Sequence, residues 1–205
     1  METRTITIDD ELYVRDTQFV KLDWSGQEAS HVDLGCVHVS RTRLTQVSFD
    51  DFRASDLLFE DCDLSGADLT ESTMSRVEFR GCKMTGVVLS GSRIRWVSFI
   101  DCRLDMALFR GLEAEDCRFK SCDLKSGDFE MATIERASFS KCMLSDASFR
   151  QARLKEVDLR SSELTDLRYA QGLKGATIES VQLLDLAASL AAEIGIRIID
   201  EIEPV

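Results

Sequence analysis

A bulky apolar side chain recurs at every fifth position over most of this 205-residue chain. Counting in fives from Val14 to Tyr169 gives about 32 positions. Large apolar residues fill all of them except Ala29, Ala54 and Ala114. This period matches neither the 3.6 residues of an amphipathic helix nor the alternation of a half-exposed strand. The pattern therefore predicts that every fifth side chain points into a shared interior.

A second, narrower series lies two residues before these positions and is mostly Ala, Val, Ser or Cys. A large side chain paired with a small one at a fixed offset fits the inside of a narrow tube. Phe followed three residues later by Cys recurs every 20 residues, starting at Phe59, Phe79, Phe99, Phe119 and Phe139. Four five-residue units are therefore expected to complete one coil. Successive coils should stack about 4.8 Å apart, so about eight coils give a rod roughly 38 Å long.

The repeat gives way to other patterns at both ends. We predict an N-terminal cap over residues 1–13 with a short strand Thr5–Ile8, the repeat over residues 14–171, and a C-terminal module over residues 172–205. In this module a helix is expected from Ser180, its N-cap, to Glu193, with Gly195 beyond its end. A short strand from Ile196 to Ile199 is expected to follow.

The predicted C-terminal helix is apolar on more than one side, which exceeds what a cap on a single rod needs. This favours a homodimer formed through the C-terminal module, and a cap on a monomer is the alternative. The residues predicted to form the dimer interface are Val181, Leu183, Leu184, Leu186, Leu190, Ile194, Ile196 and Ile198.

The chain has 37 acidic and 25 basic residues and a net charge of −12. This charge argues against direct binding to nucleic acid or to an anionic membrane and favours a basic protein partner. The absence of a long apolar run or a signal-peptide pattern favours a cytoplasmic protein. We predict an acidic partner-binding surface, with a solvated surface as the alternative, from Asp50, Asp51, Asp56, Glu60, Asp61, Asp63, Asp68, Glu71, Glu113, Glu115 and Asp116.

The sequence shows no arrangement of residues that points to catalysis, a cofactor or a metal. The only histidines, His31 and His38, fall at outward positions with no nucleophile arranged beside them. The repeated cysteines should lie in a line, whereas zinc needs about four ligands that converge on one point. They are expected to be buried thiols, and Cys36 is the candidate for an exposed one.

Two further sets of residues have a predicted place in the rod. Five glycines fall two residues after an inward position, where they should serve corners of the coil: Gly66, Gly81, Gly86, Gly91 and Gly111. Four outward apolar residues lie close together in sequence and are candidates for a contact patch: Trp96, Ile100, Met106 and Leu108.

The five-residue units, such as those from Ala67 to Glu71 and from Ala137 to Lys141, resemble the pentapeptide-repeat family. The resemblance implies an all-β fold, a right-handed quadrilateral parallel β-helix. The C-terminal module is similar to the one that joins two rods end to end in the topoisomerase-protecting members. Similarity to these members implies a DNA mimic that binds DNA gyrase or topoisomerase IV and protects it from quinolone-like or peptide poisons. A generic protein-interaction scaffold is the alternative, and an enzyme is the least favoured.

Overall fold

The backbone turns a corner once in every five residues, two residues after each inward position. Residues at these corners have positive φ, from 50° at Asp16 to 67° at Gly26. The five glycines predicted to lie at corners have φ between 60° and 66°, which confirms that prediction. Most other corners hold a residue with a side chain, although a left-handed conformation costs such a residue roughly 1–2 kcal/mol. Stacking of each corner on the next offsets this cost.

The structure, a computed structural model, describes residues 4–5, 8 and 10–198. Strands make up most of the regular structure of the described chain, which also has one 3-10 helix (Ala170–Leu173) and one α-helix, α1 (Gln182–Glu193). The strands are β1 (Arg4–Thr5), β2 (Tyr13–Val20), β3 (Leu22–Asp23), β4 (Glu28–Ser30), β5 (Asp33–Ser40), β6 (Ser48–Asp50), β7 (Arg53–Glu60), β8 (Thr73–Arg80), β9 (Arg93–Arg95), β10 (Ser98–Ile100), β11 (Glu113–Glu115), β12 (Arg118–Lys120), β13 (Thr133–Glu135), β14 (Ser138–Ser140), β15 (Arg153–Lys155), β16 (Val157–Asp158) and β17 (Ala176–Thr177).

Parallel pairing between residues 20 apart joins the strands into four faces. Face 1 holds the first halves of β2, β5, β7 and β8, followed by β9, β11, β13 and β15. Face 2 holds their second halves, followed by β10, β12, β14, β16 and β17. Face 3 continues from β1 and β3 through single bridges such as Asp63 to Lys83, and face 4 continues from β4 and β6 through bridges such as Val88 to Leu108. The predicted parallel β-helix with a 20-residue coil is confirmed.

Columns of stacked phenylalanine rings form the centre of the core. Rings from Phe59 to Phe139 stack one per coil inside face 2, with centroids 4.5–5.0 Å apart and nearly parallel planes. A second column from Phe109 to Phe149 stacks inside face 4. The two columns meet edge to face, with the Phe109 and Phe119 centroids 6.3 Å apart. This packing gives every coil the same cross-section.

Two of the three small residues in the five-residue register are compensated by a large residue two positions earlier. Phe52 and Leu112 are buried in the narrow slot beside Ala54 and Ala114, so the usual order of large and small is reversed. The buried volume per coil is thereby kept nearly constant, as a closely packed tube requires.

The inward register is weaker at the two ends of the rod than the sequence predicts. In the first coil Val14 and Phe19 are only partly buried. In the last coil Tyr169 has a φ of 59° and is 43% exposed, so it points outward instead of filling the core. The 3-10 helix starts at the next residue, and its Gly172 lies so close to Phe149 that an added Cβ would be 1.8 Å from the Phe149 carbonyl oxygen. The 3-10 helix, packed against Phe149, therefore covers the core at the place where the side chain of Tyr169 would otherwise point inward.

The boundaries of the terminal elements differ in part from the prediction. Helix α1 begins at Gln182 with Val181 as its N-cap, and Ser180 makes no capping bond from its side chain. Gly195 lies beyond the helix end as predicted, with φ 78°, and the Ile196 N–H donates to the Ala191 carbonyl. Residues 196–198 are not in a strand, and residue 199 lies outside the described residues. At the N-terminus, β1 overlaps the predicted strand only at residue 5; residues 6–7 lie outside the described residues.

Helix α1 closes the C-terminal end of the rod through one of its sides. The buried Gln182 amide donates to the carbonyl oxygens of Leu159 and Ser162, at 2.9 Å and 2.6 Å. Leu186, one turn later, is buried against the core. The carboxylate of Glu193 accepts hydrogen bonds from the first N–H groups of the 3-10 helix. These contacts satisfy backbone groups that would otherwise form an open edge.

A charged residue inside the tube should unfold the rod, whereas the same residue outside should not. We expect Phe99→Asp to lose roughly 3–5 kcal/mol of packing and also to bury an unpaired carboxylate. Ile100→Asp is the matched control because position 100 faces outward between Arg80 and Lys120. Urea unfolding should show a loss of folded protein for the first variant and a change below about 1 kcal/mol for the second. Equal midpoints would contradict the inward register.

Candidate partner-binding surfaces

The predicted acidic stretch from Asp50 to Glu71 makes one full turn of the rod, so the structure does not place its residues on one surface. Asp50 and Asp68 lie on face 4, and Asp51 and Glu71 lie at the corner between faces 4 and 1. The other four residues of this stretch lie on other faces and corners: Asp56, Glu60, Asp61 and Asp63.

Seven of the predicted residues lie away from face 4 and its corner with face 1. Six of these seven form ion pairs with a basic residue one coil away. The nitrogen–oxygen distances are 2.5 Å for Asp56–Arg76, 3.6 Å for Glu60–Arg80, 3.4 Å for Asp63–Lys83, 3.2 Å for Glu113–Arg93, 3.2 Å for Glu115–Arg95 and 2.8 Å for Asp116–Arg136. Asp61 has no ion pair among the described residues and lies beside Gly81. These surfaces are therefore ladders of alternating charge and carry little net charge.

Hydrogen bonding within these ladders lowers the pKa of several carboxyl groups. The guanidinium of Arg76 hydrogen-bonds to Asp56 and lowers the pKa of that carboxyl below its ordinary value. Arg136 lowers the pKa of Asp116 in the same way. Both carboxylates are therefore charged at neutral pH, but each is compensated by its own arginine.

An uncompensated group of carboxylates lies at the N-terminal end of face 4. We call Glu28, Asp50, Asp51, Asp68 and Glu71 the acidic face-4 patch. The strand β4 pairs with β6, and the chain then bridges to the next coil, so these side chains lie on three consecutive coils. Four of the five are exposed, and the fifth is partly buried. Asp10 adds another carboxylate to a depression of about 350 Å³ beside the patch.

Face 4 and its two corners are formed in these coils by residues 26–31, 46–51 and 66–71. These three segments contain no Lys or Arg. Among the residues whose side chains are described, one guanidinium pairs with the patch, and it comes from face 1, where Arg53 lies 3.0 Å from Asp51. His31 also lies 3.9 Å from the same carboxylate. The patch therefore keeps a net negative charge that the rest of the rod lacks.

Glu28 is the member of the patch that the sequence prediction missed. In the linear sequence Glu28 lies well before the dense acidic stretch that starts at Asp50. The 20-residue coil length could have found it, because Glu28, Ser48 and Asp68 are spaced by 20 and lie one above another on face 4.

The net charge of the chain is concentrated toward its ends. Residues 1–12 carry −3 and residues 172–205 carry −4, which leaves −5 for the rod from residue 13 to residue 171. The rod as a whole is therefore far less negative than duplex DNA, which carries about one charge per 1.7 Å. Only the acidic face-4 patch has a comparable local density.

The predicted apolar contact patch is divided between opposite sides of the rod. Trp96 lies at the corner between faces 1 and 2, where the Arg95 guanidinium is 4.1 Å from its ring centroid, and Ile100 lies on face 2. Met106 lies at the corner between faces 3 and 4, and Leu108 lies on face 4. The prediction of a single patch was wrong because neighbours in sequence turn a corner every five residues.

The remaining polar candidates do not assemble a catalytic site. His38 is half-buried, with Nε2 3.3 Å from a Glu60 oxygen, and His31 is exposed. Cys36 is exposed as predicted, and the other six cysteines are buried. Among the described residues, no three His, Cys, Asp or Glu side chains converge as metal ligands.

The apolar surface of the C-terminal module is exposed on the side of α1 that faces away from the rod. Leu184 and Ile194 are 76% and 74% exposed, and Val181, Leu183, Ile196 and Ile198 are also exposed. Leu186 and Leu190 instead pack toward the core, so these two members of the predicted interface belong to the cap. No helix in the described part of the chain is long and apolar enough to cross a bilayer.

A family model described as "pentapeptide repeat region" matches residues 32–109, 92–169 and 112–187. The chain belongs to the pentapeptide-repeat family. This assignment agrees with the four-sided parallel β-helix and the 20-residue coil. No curated protein matches the chain by sequence.

Solved structures with a similar fold include other pentapeptide-repeat proteins. A trypsin-treated form of QnrB1, a plasmid-mediated fluoroquinolone resistance protein, is 22% identical over 97% of this chain and all of its own, with a TM-score of 0.42. A second trypsin-treated QnrB1 is 21% identical over 93% of this chain and 99% of its own, with a TM-score of 0.47. HetL from Nostoc sp. strain PCC 7120 is 17% identical over 83% of this chain and 91% of its own, with a TM-score of 0.29.

The ion-pair ladders of this pentapeptide-repeat protein should be visible in carboxyl titrations. We expect Arg76→Gln to raise the pKa of Asp56 toward the ordinary value of about 3.9, measured by NMR. Because the folded-state pKa is lowered, the stabilisation from this group is present above about pH 3.9 and is lost as the pH falls through the folded-state value. Arg136→Gln is the control and should move Asp116 but leave Asp56 unchanged. An unchanged Asp56 in Arg76→Gln would contradict the pairing.

Proposed function

We propose that this pentapeptide-repeat protein is a DNA mimic that binds a type II topoisomerase, DNA gyrase or topoisomerase IV. In this proposal it protects the enzyme from quinolone-like or peptide poisons. The observation that carries the proposal is the acidic face-4 patch, a regular array of carboxylates on a stiff rod without a basic residue of its own. The protein acts by binding and not by catalysis.

The spacing of the patch supports mimicry of a phosphate backbone. Its five carboxylates, one of which is paired with Arg53, leave a net charge of about −4 over two coil spacings, about 10 Å, or one negative charge per roughly 2.5 Å along the rod. Duplex DNA carries one charge per about 1.7 Å of its axis. A groove lined with Lys and Arg would therefore meet a similar charge density on this face, although only over a short length.

The rigidity of the rod adds to the fit. Strand β6 pairs with β4 on one side and bridges to Asp68 on the other, so the backbone that carries the patch is held to neighbouring coils and little conformational entropy is lost on binding. Salt should weaken the complex, because the contacts are electrostatic and exposed.

The name of QnrB1 describes a fluoroquinolone resistance protein, which is the activity proposed here. The proposal for this chain draws on the acidic face-4 patch and on the family to which the chain belongs, and not on that likeness.

We also propose that residues 172–205 form a homodimer by joining two rods end to end. The support is the apolar surface that α1 and the residue after it leave uncovered: Leu183, Leu184 and Ile194 are exposed among the described residues, while other side chains of the helix form the cap. A two-fold axis through this surface would bury these side chains in both copies and extend the rod. Each copy would then present one acidic face-4 patch.

A supercoiling assay with purified gyrase tests the topoisomerase proposal. We expect micromolar protein to restore supercoiling in the presence of a quinolone. Replacing Asp50, Asp68 and Glu71 together by Lys should abolish the effect, because the patch then becomes basic and repels a DNA-binding groove. Circular dichroism should show an unchanged fold, since all three side chains are exposed.

The matched control replaces Asp61, Asp101 and Asp123 by Lys. This variant has the same change in net charge, but its substitutions lie on face 3 and at the corner between faces 2 and 3. It should keep the protective effect. Loss of the effect in both variants would indicate net charge alone, and absence of any effect from the unmodified protein would leave an interaction scaffold with another partner as the function.

Sedimentation velocity tests the dimer. Leu184→Arg should give a monomer, because it places a charge in the centre of the proposed interface. The fold should be retained, because the side chain does not contact the rod. Met131→Arg is the control, since Met131 is also exposed but lies on the rod at the corner between faces 4 and 1. A monomer for the unmodified protein, or a dimer for Leu184→Arg, would contradict this arrangement.

A further inference from the structure

An uninterrupted column of cysteines lies inside face 3. We call Cys62, Cys82, Cys102, Cys122 and Cys142 the thiol ladder; all five are 1–3% exposed. The corresponding slots of the other three faces hold mostly Ala, Val, Ser and Leu, with Cys117 as the single cysteine. Alanine also fits a slot of this size, as at Ala67, Ala107 and Ala147 on face 4. The concentration of thiols in one column therefore calls for a chemical explanation.

Cysteines of successive coils are held in register. The residue after each cysteine forms a parallel bridge to its equivalent one coil later, as from Lys83 to Arg103 and from Arg103 to Asp123. Neighbouring cysteines are therefore one strand spacing apart, about 4.8 Å. The Cys102 thiol lies 3.3 Å from the carbonyl oxygens of Phe79 and Ile100, so it is held against the backbone of its own coil and of the coil before.

This spacing suits a metal ion held by two sulfurs on opposite sides. Thiolate ligands select soft cations such as Cu(I). Two metal–sulfur bonds of about 2.3 Å, the length known for zinc thiolates, span about 4.6 Å in a straight line. A two-coordinate cation therefore fits between neighbouring thiols, whereas a four-coordinate zinc ion does not.

We propose that pairs of neighbouring thiols in the ladder bind soft, linearly two-coordinate monovalent cations of the Cu(I) type, two ions per chain. The limit of two follows from sulfur geometry. The cysteine side chains point across the tube, and a metal between two stacked sulfurs lies along a line parallel to the rod axis. The metal–sulfur bond then makes roughly a right angle with the Cβ–Sγ bond, as sulfur prefers. A second metal on the opposite side of the same sulfur would make the metal–sulfur–metal angle straight, which sulfur does not favour. Two adjacent spaces between thiols are therefore not filled together.

The charge balance of binding suits a dry interior. Two thiols and one monovalent cation form two metal–sulfur bonds, break one S–H bond and release one proton to solvent, which leaves a neutral thiolate–metal–thiol unit. A neutral unit avoids the cost of burying a charge.

The corner between faces 2 and 3 is the part of the backbone directly next to the ladder. Each ladder cysteine directly follows a corner residue, and two of these are small, Gly81 before Cys82 and Ser121 before Cys122. Entry there needs only a local opening of the corner and not unfolding of the rod. This inference does not depend on the proposed function.

The test measures Cu(I) bound per chain under nitrogen with ascorbate, by competition with a chromophoric Cu(I) chelator. All proteins carry Cys36→Ser, so that the exposed thiol does not contribute. They are refolded from urea with Cu(I) present, so that access does not limit binding. We expect two ions per chain, one proton released per ion, and a higher melting temperature than without metal.

Two double variants with three ladder thiols each provide the decisive comparison. Cys82→Ala with Cys122→Ala leaves thiols two coils apart and should bind no Cu(I), whereas Cys62→Ala with Cys142→Ala leaves three neighbours and should bind one ion. Cys117→Ala should still bind two. The proposal is overturned if the two double variants bind the same number of ions, if Cys117→Ala removes binding, or if the full ladder binds none.

Discussion

Parallel pairing of each residue with the residue 20 positions later is the constraint on which the rest of this structure depends. It is made possible by corners with positive φ at every fifth residue, as at Gly81 and Asp101. The backbone pairs with the coils on either side, so a single coil has no stable fold of its own. Every property of the rod is then set by what stands one coil above and below a given side chain.

The same constraint turns chemically similar residues into columns. Inside the tube it stacks the rings from Phe59 to Phe139 and aligns the thiol ladder. Outside, it places Asp56 against Arg76 and Asp116 against Arg136, so acidic residues such as these are compensated by a neighbour one coil away. A surface keeps its charge only where the column contains no basic residue, and the acidic face-4 patch meets that condition.

The ends of the rod have to solve a different problem, because their backbone groups have no further coil to pair with. At the C-terminal end, Gln182 and Glu193 satisfy such groups with side chains, and Leu186 covers the core. One side of α1 is used in this way, and the other remains apolar and exposed. One side of α1 therefore closes the tube, and the apolar side chains on the rest of its surface stay uncovered among the described residues.

Much of the architecture could be derived from the sequence, because a repeat with a strict period imposes the same local geometry at each position. The inward register, the four-unit coil, the corner glycines and the exposed Cys36 were predicted on this basis. The period also identified the family. These features depend on short-range spacing, which is fully present in a single chain read from end to end.

Which surface residues lie together was decided only by the tertiary structure. Neighbours such as Asp50 and Asp56 lie on different sides because the chain turns a corner between them, whereas Glu28 and Asp68, 40 positions apart, share one face. The outward turn of Tyr169 and the division of α1 into a cap side and a free side likewise depend on contacts with the last coil. Periodicity determines which side chains point inward; the closing of the coil determines which of the others meet.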